Sequence, residues 1–230
     1  MMGILSSVNT AKANTEQAST RRSRGRPAMP PERIVAAALE LVDAQGADAL
    51  SMRTLAQQLN SGTATLYRHF ANRSELVAHV VDHVYGEVHL DAAELAGQSW
   101  QRSCESVVRT MYAALNRHPN VTRLMLDHTP FGPNAMAIRE ICLSVLLDSG
   151  FAPDLAARIY ATLSRYVLGF AIQFSGNPDA HAAHDAEAFH TVDPSQFRAT
   201  LAVAGAMPVP LDVEFSFGLD LLIKGLSQIR

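Results

Sequence analysis

The chain has 230 residues, of which 48% are hydrophobic, 18% charged and 7% aromatic. That is the makeup of a globular protein with one large core, or with a small domain joined to a larger one. No apolar run reaches the ~18 residues of a membrane span, the N-terminal residues lack the basic-then-apolar order of a secretory signal, and Cys104 and Cys142 form neither a CxxC pair nor a disulfide framework. These features exclude a membrane or disulfide-rich secreted protein and predict a cytosolic chain with both thiols reduced and buried.

The net charge of −3 is unevenly spread. Residues 1–74 carry nine Lys/Arg against five Asp/Glu (+4), and residues 75–230 carry ten against seventeen (−7). A basic N-terminal third on an acidic body fits a nucleic-acid-facing module. Residues 1–20 are small and polar and predict disorder. "RRSRGRP" at 21–27 is a basic arm. Helical periodicity begins at "PPE" (30–32), and Ile34, Val35, Ala38, Leu41 and Val42 form one apolar stripe that ends at Gly46. Ser51 suits the N-cap of a short second helix with Met52, Leu55, Ala56 and Leu59 on one face. Asn60-Ser61-Gly62 reads as a turn. A third helix over roughly 63–69 is anchored by Leu66 and Phe70 at i, i+4. Asn72 or Ser74 caps a fourth that carries Leu76, Val77, Val80, Val81 and Val84.

A polar break follows near 91–98. Further helices are predicted over 99–117, 120–128, 134–148, 153–175, 194–204 and 212–229, with a polar, His-rich loop at 176–193. No stretch shows sustained period-two alternation or an Asn-Gly or Asp-Gly hairpin. The expected fold is therefore all-α: an N-terminal three-helix unit, then a helical bundle.

Two short helices joined by a tight turn are the parts of a helix-turn-helix. With Leu55, Leu59, Leu66 and Phe70 turned inward, Thr63, Thr65, Tyr67, Arg68 and His69 must lie largely outward. Hydroxyl, phenol, guanidinium and imidazole groups contact phosphates and base edges when such a helix enters a major groove, its dipole adding phosphate attraction; the same pattern also describes a solvated face. "RGRP" at 24–27 suits a minor-groove arm, with Arg24 and Arg26 inserted, or a solubilising tail. No paired carboxylate motif, nucleophile elbow, P-loop or HExxH supports an enzyme.

"SMRTLAQQLNSGTATLYRHFANRSEL" (51–76) strongly resembles the DNA-binding segment of the tetracycline-repressor (TetR) family of bacterial transcription regulators. "SW" (99–100), "HP" (118–119), "GPNA" (132–135), "GF" (150–151), "YVLGFAIQF" (166–174) and "FGLDLLIKGL" (217–226) resemble that family's tetracycline-repressor-class ligand-binding domain. The resemblance implies a disordered tail and arm over 1–27, a helix-turn-helix domain over 28–75 and a ligand-binding and dimerisation domain over 76–230. It places Thr63, Ala64, Thr65, Tyr67, Arg68 and His69 at operator-contacting positions. It implies a base contact from Arg53, a phosphate contact from Arg73 in place of a lysine, and a cap that also holds phosphate at Ser51. The family commonly has Gly and then an apolar residue in the turn, where this chain has Asn60 and Ser61; Asn tolerates a positive φ.

The same resemblance implies an effector pocket. A drug-contacting histidine is kept as His89, while a metal-binding histidine becomes Met125. A drug-contacting asparagine becomes Val107, a phenylalanine becomes Met111, and a metal-supporting glutamate becomes Gln173. Methionine sulfur does not suit Mg²⁺, so neither a metal chelate nor a cofactor is expected. A more apolar effector is expected, in a pocket of His89, Val107, Met111, Met125, His128, Cys142, Leu146 and Tyr160, residue types that also pack ordinary cores. His181, His184, Asp185, Glu187 and His190 lack the fixed spacing of a metal site. His79 and His83, at i, i+4, are expected in interdomain packing. In such regulators the 153–175 and 212–229 helices would pair with their copies in a homodimer. The dimer reads a pseudo-palindromic double-stranded operator, and a small molecule releases it.

Overall fold

A computed structural model describes residues 29–126, 129–174 and 178–229, apart from the side chains of 178–183. Arg24, Arg26 and His128 lie outside the described residues. The described residues are helical, with no strand among them.

The N-terminal unit is α1 (Pro31–Gln45), α2 (Met52–Gln58) and α3 (Thr63–Tyr67). Pro31 opens α1 and Gly46, at φ +87°, closes it by donating its N–H to the Val42 carbonyl at 2.8 Å. Ile34, Ala38, Leu41 and Val42 of α1 meet Leu55 and Ala56 of α2, Leu66 of α3 and Phe70, all buried. A small residue at 56 lets α1 and α2 cross closely.

Helix α4 (Arg73–Gly86) runs out of this unit. Asn72 caps it by accepting the Glu75 N–H at 2.9 Å, and the Glu75 carboxylate accepts the Ala71 N–H at 2.6 Å. Leu76, Val77, Val80, Val81 and Val84 are buried, and α4 packs on α1, on α6 and on α7. One continuous apolar core therefore extends through α4 from the three-helix unit into the bundle.

The bundle contains α5 (Ala92–Ala96), α6 (Trp100–Arg117), α7 (Pro133–Asp148), α8 (Pro153–Gln173), α9 (Pro178–His190), α10 (Arg198–Val203) and α11 (Leu211–Leu226). A 3₁₀ stretch, Pro119–Met125, stands where an α-helix over 120–128 was expected, and a second, Ala204–Ala206, follows α10.

Two other segments depart from the sequence reading. The polar break near 91–98 contains α5, because the Asp91 carboxylate accepts two first-turn amides, from Ala93 at 2.8 Å and Glu94 at 3.2 Å, and Leu95 is buried beneath. The expected loop at 176–193 contains the thirteen-residue α9. Its five alanines favour a helix whatever its surface polarity, and Pro178 stands at its first position.

Candidate nucleic-acid interface and ligand cavity

The turn before α3 is set by the C-terminus of α2. The Asn60 N–H donates to the Gln57 carbonyl at 3.0 Å and the Ser61 N–H to the Ala56 carbonyl at 2.9 Å. With Asn60 at φ +48°, this is the paired 5→2 and 6→1 bonding of a left-handed helix stop, with asparagine in glycine's usual place. Gly62 is extended (φ −88°, ψ 150°) and makes no use of glycine's freedom.

On α3 and its last turn, Leu66 and Phe70 are buried. Thr63, Ala64, Tyr67 and Arg68 are exposed, and Thr65 and His69 are half-buried. Tyr67 is 53% open to solvent, a large aromatic residue left exposed on this face. Arg68 donates from Nη2 to Thr65 Oγ1 at 3.2 Å, which orients its guanidinium along the face. Arg53 of α2 is also exposed. Helix α3 has only five residues, so its macrodipole is small and anion attraction at this face rests on the side chains.

Two residues of the expected interface also hold the local fold. Ser51 Oγ accepts the Thr54 N–H at 3.0 Å and lies 2.6 Å from Thr54 Oγ1, the expected cap of α2. Arg73 donates from Nε to the Leu50 carbonyl at 2.7 Å and from Nη2 to the Ala47 carbonyl at 3.2 Å. It staples the start of α4 to the 3₁₀ turn Ala47–Ala49, where a phosphate contact alone was expected.

Between α6, α7 and α8 lies a narrow cavity of about 20 Å³, lined by Val107, Met111, Cys142, Leu146 and Tyr160 together with Cys104, Val108, Val145, Leu163, Ser164 and Val167. That volume holds about one water molecule. Burial pushes the Cys104 thiol up to about 11 and the Cys142 thiol up to about 12, so both are neutral at physiological pH. Tyr160 carries the main polar handle, its hydroxyl accepting from Arg139 Nε at 3.1 Å.

The sequence reading missed Cys104, Val108, Val145, Leu163, Ser164 and Val167. The signal was present: 104, 107, 108 and 111 on α6, and 160, 163, 164 and 167 on α8, each make one helical face. His89 and Met125, expected in the pocket, sit outside it. His89 is exposed beyond the end of α4, with Nδ1 2.7 Å from the Glu87 carbonyl. Met125 is buried in the 3₁₀ stretch, which packs on α1, α4 and α8. Among the described residues, no three His, Cys, Asp or Glu side chains come close enough to hold a metal ion.

A polar clasp joins the three-helix unit to the bundle. His118, at the end of α6, has Nδ1 2.7 Å from Asp43 Oδ2 of α1 and Nε2 3.0 Å from Glu87 Oε1 at the end of α4. Arg117 reaches Glu87 Oε2 at 3.0 Å and Asn120 donates to the Asp43 carbonyl at 3.0 Å. Burial would raise the Glu87 pKa, but the Arg117 hydrogen bond and the His118 ring outweigh it and hold the carboxyl below its usual range. At the far side, α8 and α11 are tied by the Tyr166 hydroxyl donating to the Phe215 carbonyl at 2.6 Å. Val213, Phe217 and Leu221, at i, i+4, i+8, make an exposed apolar stripe along α11.

Comparison with known proteins agrees with this layout. Residues 34–80 match the model of bacterial regulatory proteins of the tetR family, and residues 92–230 match that of the tetracyclin repressor-like C-terminal domain. An HTH-type transcriptional regulator of Saccharopolyspora erythraea is 32% identical over 65% of this chain and 62% of its own length. The HTH-type transcriptional repressor DrrR1 of Streptomyces coeruleorubidus is 30% identical over 91% of this chain and 82% of its own. The crystal structure of the TetR family protein ActR of Streptomyces coelicolor with (S)-DNPA superposes with a TM-score of 0.79, at 30% identity, over 89% of this chain and all of that one. No helix among the described residues is long and apolar enough to cross a membrane. An exposed helix-turn-helix face on a helical bundle with an internal apolar cavity, matched along nearly its whole length, identifies the chain as a member of the TetR family of transcriptional regulators.

Proposed function

We propose that this regulator is a cytoplasmic homodimeric repressor, without catalytic activity, that reads a pseudo-palindromic operator and is released by a small apolar molecule bound between α6, α7 and α8. The observation that carries the reading is the outward Thr63, Ala64, Tyr67 and Arg68 on a turn rigidly closed through Asn60. Thr65, Arg68 and Tyr67 have the donors and reach for phosphates and base edges, His69 flanks them, and the exposed Arg53 has the paired donors of a bidentate guanine contact. The α11 stripe of Val213, Phe217 and Leu221 supports pairing with a second copy, which would set two α3 helices one turn of DNA, roughly 34–36 Å, apart.

The lining of aliphatic carbons, a thioether, two thiols, the Tyr160 phenol and the Ser164 hydroxyl favours a hydrophobic effector with few polar groups. Crystal structures of ActR in complex with (S)-DNPA and with actinorhodin support a small-molecule effector. Selection of bound duplexes from random DNA, repeated as a function of salt, tests the reading. A palindromic consensus whose binding falls steeply with salt is expected. Failure to retain any duplex at low salt overturns it.

A further inference from the structure

Asp82 lies mid-way along α4 with only 7% of its surface exposed. Its Oδ1 accepts the Ala135 N–H at 3.0 Å, and its Oδ2 accepts the Asn134 N–H at 3.4 Å and Asn134 Nδ2 at 3.1 Å. Asn134 Nδ2 also reaches the Asp82 carbonyl at 3.1 Å. These are the first-turn amides of α7, which a helix ordinarily satisfies through its own N-cap side chain. Here the N-cap is Gly132, which has no side chain, and Pro133 has no N–H. A Cβ at Gly132 would stand 2.1 Å from Asp82 Cγ and 2.2 Å from Oδ1. "GPNA" is thus shaped around a carboxylate delivered by another helix: room at 132, no competing donor at 133, donors at 134 and 135.

Helix α7 supplies Cys142, Val145 and Leu146 to the cavity wall, and α4 is the helix that packs on both α7 and α1 of the three-helix unit. The cavity is too small for an organic ligand, so occupancy must displace its walls. We propose that Asp82 is the positioning residue that passes a displacement of α7 to α4, and so to the DNA-reading face. The proposal rests on the reading of that cavity as the effector site. A charged cap fixes direction as well as distance, and three convergent hydrogen bonds make α4 follow the α7 N-terminus where apolar contacts alone would let it slide.

A cavity wedge can stand in for the unidentified effector. Cys142→Phe forces α7 outward, and operator binding is measured for the full-length wild type, Cys142→Phe, Asp82→Ala and the double variant, with folding checked by helical circular dichroism. The wedge should weaken operator binding by about tenfold when Asp82 is present, a usual size for coupling between distant sites, and should have little effect when Asp82 is absent. Gly132→Ala should reproduce the Asp82→Ala pattern by driving a methyl into the carboxylate. If Asp82→Ala does not fold, Asp82→Asn and Asn134→Ala weaken the same bonds more gently. An equal fold-change in both backgrounds overturns the proposal, as does a folded wedge variant that binds operator as the wild type does. A wild type that binds no duplex would defeat the functional reading instead. Amide exchange in α1–α4 then decides the coupling: protection there should fall with the wedge only when Asp82 is present, and equal patterns overturn it.

Discussion

Gly218 of α11 lies where Tyr166 of α8 crosses it. A Cβ at this position would fall 2.4 Å from the Tyr166 hydroxyl oxygen and 3.2 Å from two ring carbons. The ring has little room to retreat, with the Phe170 and Phe215 rings at 4.9 Å and 5.3 Å. In an unobstructed helix Gly→Ala gains about 1 kcal/mol from backbone entropy. Here the added methyl costs about 1–3 kcal/mol of overpacking and about 1 kcal/mol for the displaced Tyr166 hydrogen bond. Gly218→Ala should therefore destabilise the fold by about 1–3 kcal/mol, the propensity gain offsetting about as much as the lost hydrogen bond costs. Gly169 of α8, with nothing within 4 Å of its would-be Cβ, is the reference: Gly169→Ala should stabilise by up to about 1 kcal/mol. Tyr166→Phe removes the closest atom, so the double variant with Gly218→Ala should recover about 1 kcal/mol relative to additivity. Urea unfolding followed by helical circular dichroism at one fixed protein concentration measures all four, since self-association would make apparent stability depend on concentration. A stabilising Gly218→Ala, or strict additivity with Tyr166→Phe, would refute this account of how α8 and α11 are locked.

Asn60→Ala should cost about 1–2 kcal/mol of stability in the same assay, because alanine resists the left-handed conformation, whereas Asn60→Gly should stay close to the wild type. Arg53→Ala should relax discrimination at one operator base pair by about 1–3 kcal/mol. Arg73→Ala should instead lower stability by about 1–2 kcal/mol through its two lost carbonyl contacts and leave the salt slope of operator binding unchanged. The depressed Glu87 carboxyl makes the clasp's contribution fully present at neutral pH and lost as pH falls through the acid range, so Glu87→Gln should flatten that limb of the acid-unfolding profile. Cys104 and Cys142, raised to about 11 and about 12 by burial, should not react with a disulfide reagent near pH 8 in the native protein and should both react once it is unfolded.

What was legible in the sequence was local or periodic. Ser51 and Asn72 announce their helices because an N-cap acts within three residues, as the Thr54 and Glu75 amide bonds show. Leu66 and Phe70 separate the buried side of α3 from its exposed side because helical spacing leaves no other arrangement. The Asn60 stop was legible for the same reason. Helix α9 is hard to see in the sequence because its alanines sit among polar and histidine residues that look like a loop, and α5 because one capping aspartate within a polar stretch gives little periodicity. The polar joints were not legible at all. His118 finds Asp43 across 75 residues, and Asp82 finds the Asn134 amide across 52. Single long-range pairings leave no period in a sequence. Nothing in the sequence around Arg73 points to the Ala47 and Leu50 carbonyls that it holds.

The small volume of the cavity between α6, α7 and α8 constrains how it could take an effector. An effector of ordinary size needs some hundreds of Å³, and the walls leave about 20 Å³. On the proposed reading of this cavity as the effector site, the ligand-competent state must be more open than this one, and apparent effector affinity is scaled down by that state's population. Opening has to move α6, α7 or α8. Helix α6 ends in the His118 clasp to Asp43 and Glu87. Helix α7 begins on Asp82. Two of the three walls are thus pinned to α4, one at its middle and one at its C-terminal end, while the other end of α4 is stapled by Arg73 beneath the DNA-reading unit. An effector that binds only the opened state works against those pins, and the same pins determine that its binding energy is expressed as a change in the pose of α4.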